Sequence, residues 1–225
     1  MSRAVVVLRP EPGCGETQAG AQKLGLQVIA SPLFEVTPAE WEVPTLSDFD
    51  AILAGSANAF RHGGAMLHLL HDLPVHAVGK RTAEAAHAAG FRVEATGEGG
   101  LQALVDRGQM PARLLRLSGE ARADVMAPSG LTITDLVVYR TIPVPLSANA
   151  VHVFRSGAVA LLHSGEAARR FSQECDRCGI ERTGIPIAAL APRIAEAAGQ
   201  GWAKVMVAPT IDDSALLAMA KDMCQ

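Results

Sequence analysis

The sequence predicts an α/β protein of two similar lobes, each a parallel sheet flanked by helices, joined by a two-stranded β linker. Three observations predict it. Short apolar runs alternate with helical segments along all 225 residues, the pattern that builds parallel sheets covered on both faces. The chain also says the same thing twice. Ala83-Glu84-Ala85-Ala86 after the turn Gly79-Lys80-Arg81-Thr82 returns 112 positions later as Ala195-Glu196-Ala197-Ala198 after Ala191-Pro192-Arg193-Ile194. Finally, two extended segments bounded by prolines, Ser31 to Pro38 and Val137 to Pro143, break the rhythm, each proline biasing the residue before it toward extended geometry.

In order, Val5 to Leu8 is a β-branched run, followed by a turn rich in proline and glycine. A helix from about Glu16 to Leu24 stops at Gly25, and Gln27 to Ala30 is a second strand. Asp50 to Ala54 reads as a buried strand and Ala57 to Leu70 as one helix. Val75 to Val78 is a strand, Thr82 to Ala89 a helix closed by Gly90, Phe91 to Ala95 a strand and Leu101 to Arg107 a helix. Leu114 to Leu117 opens a further strand–helix unit whose helix stops near Gly130, and Thr132 to Tyr139 returns as a strand. The second copy repeats the order: strand Ala158 to Leu162, helix to Cys178, strand Ile187 to Leu190, helix Ile194 to Ala198, strand Lys204 to Val207, helix Ser214 to Asp222.

A pair of extended strands leaving and re-entering a lobe makes a hinge. On that reading residues 39–136 form an inserted lobe, residues 1–31 with 144–225 form the other, and 32–38 and 137–143 are the linker strands. Periodicity alone equally allows two consecutive halves meeting near residue 145; the proline-bounded segments favour the insertion. Two such units facing one another would create a cleft, the usual seat of a ligand.

Composition narrows the partners. Twenty Lys and Arg against 23 Asp and Glu give a net charge of −3, so no basic field exists to hold nucleic acid or an anionic membrane. Aromatic content of 4% argues against base-stacking platforms. No apolar stretch approaches the roughly 20 residues of a membrane span. The N-terminus runs straight into Ala4 to Leu8 without a signal peptide's apolar core, so the expected location is the cytoplasm. Cys175 and Cys178 have the spacing of half a zinc site, but no second pair completes it; with Cys14 and Cys224 they are expected as free thiols. His62, His68 and His71 are expected on the polar side of one helix, with His76 beyond Pro74. No metal and no cofactor is expected, and no nucleotide fingerprint or Ser-His-Asp order occurs.

The chemistry is expected at strand-to-helix turns, where helix N-terminal N–H groups and the positive end of the helix dipole face outward. Ser56, Ala57 and Asn58 form one turn; Gly79, Lys80, Arg81 and Thr82 form another, with Thr82 placed as an N-cap. Arg9 and Ser118 sit at equivalent strand ends, and His163 with Ser164 ends the matching strand of the second copy. Ordinary capping accounts equally well for Ser56 and Thr82, and solvation for Lys80 and Arg81.

Together, Leu8-Arg9-Pro10-Glu11-Pro12-Gly13, Pro32-Leu33-Phe34-Glu35-Val36, Gly55-Ser56-Ala57-Asn58-Ala59, Ala77 to Ala83, Val138-Tyr139-Arg140 and Val207-Ala208-Pro209-Thr210 resemble, in order, the uroporphyrinogen-III synthases. The resemblance implies two α/β lobes on a two-stranded linker. It implies as substrate hydroxymethylbilane, a linear tetrapyrrole bearing an acetate and a propionate on every ring, and as product uroporphyrinogen III. Tyr139, the only tyrosine in the chain, matches the family's tyrosine and is implied as the catalytic proton donor. Arg9, Ser56, Ala57, Asn58, Gly79, Lys80, Thr82, Ser118, His163 and Ser164 are the expected substrate-binding residues.

The second copy departs from the family, with Ala191 and Ile194 where a Gly and a Thr are usual; binding there would fall to backbone N–H groups or Arg193. The family acts as a monomer without metal or cofactor, and the resemblance leaves room for a transient contact with hydroxymethylbilane synthase. The degenerate second copy also keeps open a tetrapyrrole- or small-anion-binding protein of the same fold without cyclase activity.

Overall fold

The computed structural model describes residues 3–225. In chain order the strands are β1 (Val5–Val7), β2 (Val28–Ala30), β3 (Phe34–Pro38), β4 (Ala51–Ala54), β5 (Val75–Val78), β6 (Val93–Gly97), β7 (Arg113–Gly119), β8 (Thr132–Pro143), β9 (Val159–Leu162), β10 (Pro186–Ala189) and β11 (Lys204–Val207). The helices are α1 (Gly13–Lys23), α2 (Asn58–His62), α3 (Lys80–Ala88), α4 (Leu101–Asp106), α5 (Ala148–Arg155), α6 (Gly165–Cys178), α7 (Pro192–Ala198) and α8 (Asp213–Met223). The fold is α/β, with parallel sheets flanked by helices. It divides into two compact units, the chain up to Glu35 with Pro143–Gln225, and Val36–Ile142. The chain passes between them through β3 and β8, which are neighbours in one sheet.

In the first unit the strand order is β11-β10-β9-β1-β2, every pairing parallel. Because side chains alternate across a strand, the β-branched and leucine-rich runs feed two cores at once. Val6, Leu8, Ala160, Leu162 and Ile187 pack with Phe154 and Phe171 on one face; Val5, Val7, Val159 and Leu161 pack with Leu216, Leu217 and Ala220 on the other. Helix α6 is held at both ends by local chemistry. Ser164 Oγ accepts from Ala167 N–H at 3.1 Å, and Gly179, at φ +60°, supplies the left-handed exit that a side chain would resist.

The second unit has the order β3-β8-β7-β4-β5-β6. β4-β5-β6 repeat β9-β10-β11, and β7 lies beside β4 as β1 lies beside β9. One face is well covered: Ile52, Ala54, Val75, Ala77, Leu115 and Leu117 pack with Phe60 and Phe91. The other face is thinner, with Ala51, Leu53 and Leu114 under Leu104 and Val105.

That thin face is where the structure departs most from the pattern. The helix expected between Leu117 and Gly130 does not form; residues 120–131 cross from β7 to its parallel neighbour β8 as irregular chain. Side chains hold the segment instead. Arg116 donates to Ala123 O at 2.8 Å, and Gln102 pairs with both backbone groups of Met126 at 2.8 and 3.1 Å. The expected helix from Ala57 to Leu70 is also two pieces, α2 and a 3₁₀ segment Ala65–Leu70, parted at Gly63-Gly64, where Gly64 has φ +80°. A helix the pattern did not announce, α5, is capped by Ser147, whose Oγ accepts from Ala150 N–H at 3.2 Å. Phe154 on it meets Phe171 at 4.7 Å between ring centres.

The thin face also buries His76 to 4% exposure, level with Leu53 on β4. Both ring nitrogens lack a hydrogen-bond partner, and Glu94 lies 3.9 Å away. Burial pushes the imidazole below its ordinary value of 6.5, the Glu94 charge opposing this only in part. Protons therefore bind the unfolded chain more readily, and this site loses stability as pH falls from about 6.5 through its depressed folded value. His76→Leu, which removes two orphaned polar atoms, is expected to stabilise by about 1–2 kcal/mol at pH 7. The gain should grow at pH 5.5, as read by paired thermal melts; a gain independent of pH would refute the protonation argument.

Candidate active site

Parallel strands of this kind present ligands at their carboxyl ends. In the second unit the ends of β4 and β7 meet β8 part-way along its length, because Ala54 pairs with Leu117 and Gly119 with Tyr139. Gly55 and Ser56, Ser118 and Gly119, and Tyr139 thereby line one pocket of about 170 Å³. Tyr139 is half-buried, its ring laid against Gly119. A Cβ at position 119 would stand 2.6 Å from Tyr139 Cε2 and 3.0 Å from its hydroxyl oxygen. Only glycine lets the ring occupy that place. Gly119→Ala is thus expected to displace the Tyr139 ring and to destabilise the fold by about 1–3 kcal/mol, as thermal melts would read.

Three of the expected residues therefore meet in one pocket: Ser56, Ser118 and Tyr139. Ser118 is 5% exposed, and its hydroxyl has no hydrogen-bond partner. Ser56 Oγ accepts from Asn58 N–H at 3.2 Å, with Ala57 and Asn58 opening α2. The next strand end holds Gly79, Lys80 and Thr82, none of which lines this pocket. Gly79, at φ +78°, donates to Gly97 O at 2.7 Å. Lys80 is 89% exposed and faces Glu84 at 3.7 Å. Thr82 is not the cap expected of it: Gly79 holds the cap position, and Thr82 is a buried third residue of α3. The helix begins earlier because Gly79 can adopt the positive φ that turns the chain out of β5.

The equivalent strand ends of the first unit carry a different set. Arg9 stands two residues past Val7, which pairs with Leu161, and so is level with His163. His163 Nε2 lies 2.7 Å from Asp213 Oδ1, and Thr17 Oγ1 donates to Asp213 Oδ2 at 2.8 Å. Arg9 approaches the same carboxylate at 3.8 Å and Thr17 Oγ1 at 3.4 Å. Burial pushes the Asp213 carboxyl up, but the hydrogen bonds from His163 and Thr17, with the His163 and Arg9 charges, outweigh it and hold it below its usual range. His163 is 108 positions after Gly55 and Asp213 is 112 after Leu101, both residues of the pocket described above. An imidazole–carboxylate pair thus stands where the other unit has a glycine and a leucine. Ser164 caps α6, Arg193 is exposed on α7, and Ile194 is buried in the core.

The family described as Uroporphyrinogen-III synthase HemD matches residues 15–218. The chain belongs to this family. Its function is that of a uroporphyrinogen-III synthase, in tetrapyrrole biosynthesis. The fold is shared with the uroporphyrinogen-III synthetase of Helicobacter pylori 26695 (14% identity, TM-score 0.66, 98% of this chain and 99% of that one). It also matches a mutant uroporphyrinogen III synthase from the extremely thermophilic bacterium Thermus thermophilus (17% identity, TM-score 0.50, 97% and 98%). No curated protein sequence matches the chain significantly.

For a synthase of this family, several residues of these sites escaped the sequence reading. Asp213 and Thr17 were hidden because 196 positions separate them. Arg116 did carry a signal, a charge inside the apolar run Leu114-Leu115-Arg116-Leu117. Burial pushes the Cys14 thiol up to about 11 and the Cys175 thiol up to about 12, so neither is a thiolate at neutral pH. Among the described residues no group of His, Cys, Asp and Glu could hold a metal ion, and no helix is long and apolar enough to cross a membrane.

Proposed function

We propose that this enzyme closes hydroxymethylbilane to uroporphyrinogen III as a hydro-lyase, with Tyr139 as the proton donor. The observation that carries this reading is the convergence of Tyr139, Ser56 and Ser118 on one pocket in a chain of this family. The hydroxymethyl C–O bond breaks as the Tyr139 hydroxyl gives its proton to the departing oxygen, which leaves as water. The pyrrole nitrogen lone pair supplies the electrons, and an N-protonated azafulvenium cation forms. Its methylene carbon is attacked by the substituted carbon of ring D, and the spiro intermediate fragments and recloses with ring D inverted. The proton lost from ring D on rearomatisation restores the tyrosine.

Little covalent work is asked of the protein, which must hold the chain folded so that the spiro route outruns spontaneous closure. The substrate's carboxylates would meet hydroxyls and N–H groups at the strand ends: Ser56, Ala57, Asn58 and Ser118, the start of α3 that Gly79 and Thr82 shape, and Ser164 with the start of α6. Charge-assisted bonds of this kind are about twice as strong as neutral ones. Arg9 and His163 would contribute as the polar members of the cluster around Asp213, and Lys80 and Arg193 as exposed cations.

The test is a coupled assay. Hydroxymethylbilane made freshly by its synthase is added to the protein, the products are oxidised, and the type I and type III uroporphyrin isomers are separated. Predominantly type III product is expected. Type I alone at the uncatalysed rate would refute cyclase activity and leave a tetrapyrrole- or small-anion-binding protein of the same fold, the reading that Ile194 in place of the family's usual Thr favours.

A further inference from the structure

We infer that Arg116 and Arg122 form a carboxylate subsite in the pocket beside Tyr139, one that takes a single acetate or propionate arm of the substrate. The inference rests on the cyclase reading for the identity of the ligand, not for the existence of the subsite.

The subsite follows from the helix that does not form. A helix between β7 and β8 would cover the face of the sheet that Arg116 and Ser118 share; the irregular segment 120–131 leaves it open at the strand ends. Arg116 is 5% exposed. Its Nη2 donates to Ala123 O, while its Nε lies 3.5 Å from Asp135 Oδ1 and makes no hydrogen bond. Arg122 Nε donates to the other oxygen of Asp135 at 3.0 Å, and its Nη1 to Glu120 O at 3.2 Å. Two guanidinium groups thus share one carboxylate at the pocket wall. An excess positive charge beside a buried, unpartnered hydroxyl on Ser118 asks for an anion that accepts hydrogen bonds. A carboxylate does both, taking Ser118 O–H on one side and guanidinium N–H on the other. Size selects the arm rather than the ring system, since about 170 Å³ falls below the roughly 300 Å³ at which small-molecule pockets begin.

Two substitutions with opposite charge effects separate recognition from mere support of the loop. Arg122→Gln removes a cation and is expected to raise KM for hydroxymethylbilane about tenfold, with kcat within about threefold because the bound carboxylate takes no part in the bonds that change. Arg122→Lys should recover most of the loss, and the exposed Arg107→Gln, with the same charge change, should do nothing. Asp135→Asn breaks the same pins yet adds positive charge, and is expected to leave KM unchanged or lower. An unchanged KM in Arg122→Gln, or an equal rise in both variants, would overturn the subsite. If the wild-type protein makes no type III isomer, fluorescence titration with uroporphyrin III decides independently. A roughly tenfold weaker Kd for Arg122→Gln supports the subsite, and equal affinities overturn it.

Discussion

Tyr139→Phe is expected to lower kcat for type III formation about 100-fold while leaving KM and the melting temperature nearly unchanged. The size follows from what the hydroxyl is asked to do. A positioned general acid contributes about 10²–10⁴ in rate, and the lower end applies because the ring is half-buried at a pocket rim, where water can replace the proton donor inefficiently. A 100-fold loss corresponds to about 2.7 kcal/mol of transition-state stabilisation. The phenyl ring keeps its seat over Gly119, so packing in the core that Tyr139 borders should survive. As the enzymatic route slows, spontaneous closure should take a larger share and type I isomer should rise. If Tyr139 only fills space, Phe will retain activity within about twofold, and the proton must come from elsewhere.

Glu174→Ala is expected to destabilise the first unit by about 2–4 kcal/mol. Glu174 on α6 has no exposure to solvent. Its carboxylate accepts from Arg177 Nε and Nη2 at 3.0 and 2.7 Å, faces Arg170 at 3.0 Å, and accepts from Leu146 N–H at 2.9 Å. Removing one partner of a fully buried pair costs about 3–5 kcal/mol. Here the arginines are 26% and 54% exposed and can turn to water, which reduces the cost. What water cannot repair is the Leu146 N–H, orphaned just before α5, at about 1–3 kcal/mol, plus the space the side chain leaves. A fall of about 10 °C in the melting temperature follows for a chain of this size.

The pH dependence of the same substitution has a definite sign. Hydrogen bonds from Arg177 hold the Glu174 carboxyl below its ordinary 4.5, against the opposing effect of burial, with Leu146 N–H and the charges of Arg170 and Arg177 assisting. The contribution is therefore fully present above about pH 4.5 and fades as pH falls through the lower folded value. Melts of the two proteins should converge in acid. Glu174→Gln, which keeps an acceptor for Leu146, should lie between them; equal stability of all three at pH 7 would refute the argument.

Much of this was legible in the chain because it depends on local pattern. Strand runs such as Val5–Val7 and Val159–Leu162, β-branched or leucine-rich and apolar at every position, read as strands buried on both faces, and they alternate with helical segments in the order the two sheets realise. The repeat around Ala83 and Ala195 became α3 and α7, and the proline-bounded runs became β3 and β8. The sequence was least informative where side chains replace regular structure. Nothing in Glu120 to Gly130 announces that Arg116, Gln102 and Asp135 will hold it out of a helix, because those partners come from β7, α4 and β8. The cap expected at Thr82 moved three residues back to Gly79 because a glycine at φ +78° turns the chain into the helix there.

The sequence by itself determined the α/β class, the internal repeat, the family and the single tyrosine, since each is carried by spacing and residue type along the chain. Only the tertiary structure decided which strand ends share a pocket, that Asp213 engages His163, and that two arginines share one carboxylate. Those facts depend on strand register and on contacts between residues as far apart as Thr17 and Asp213, which one-dimensional periodicity does not encode.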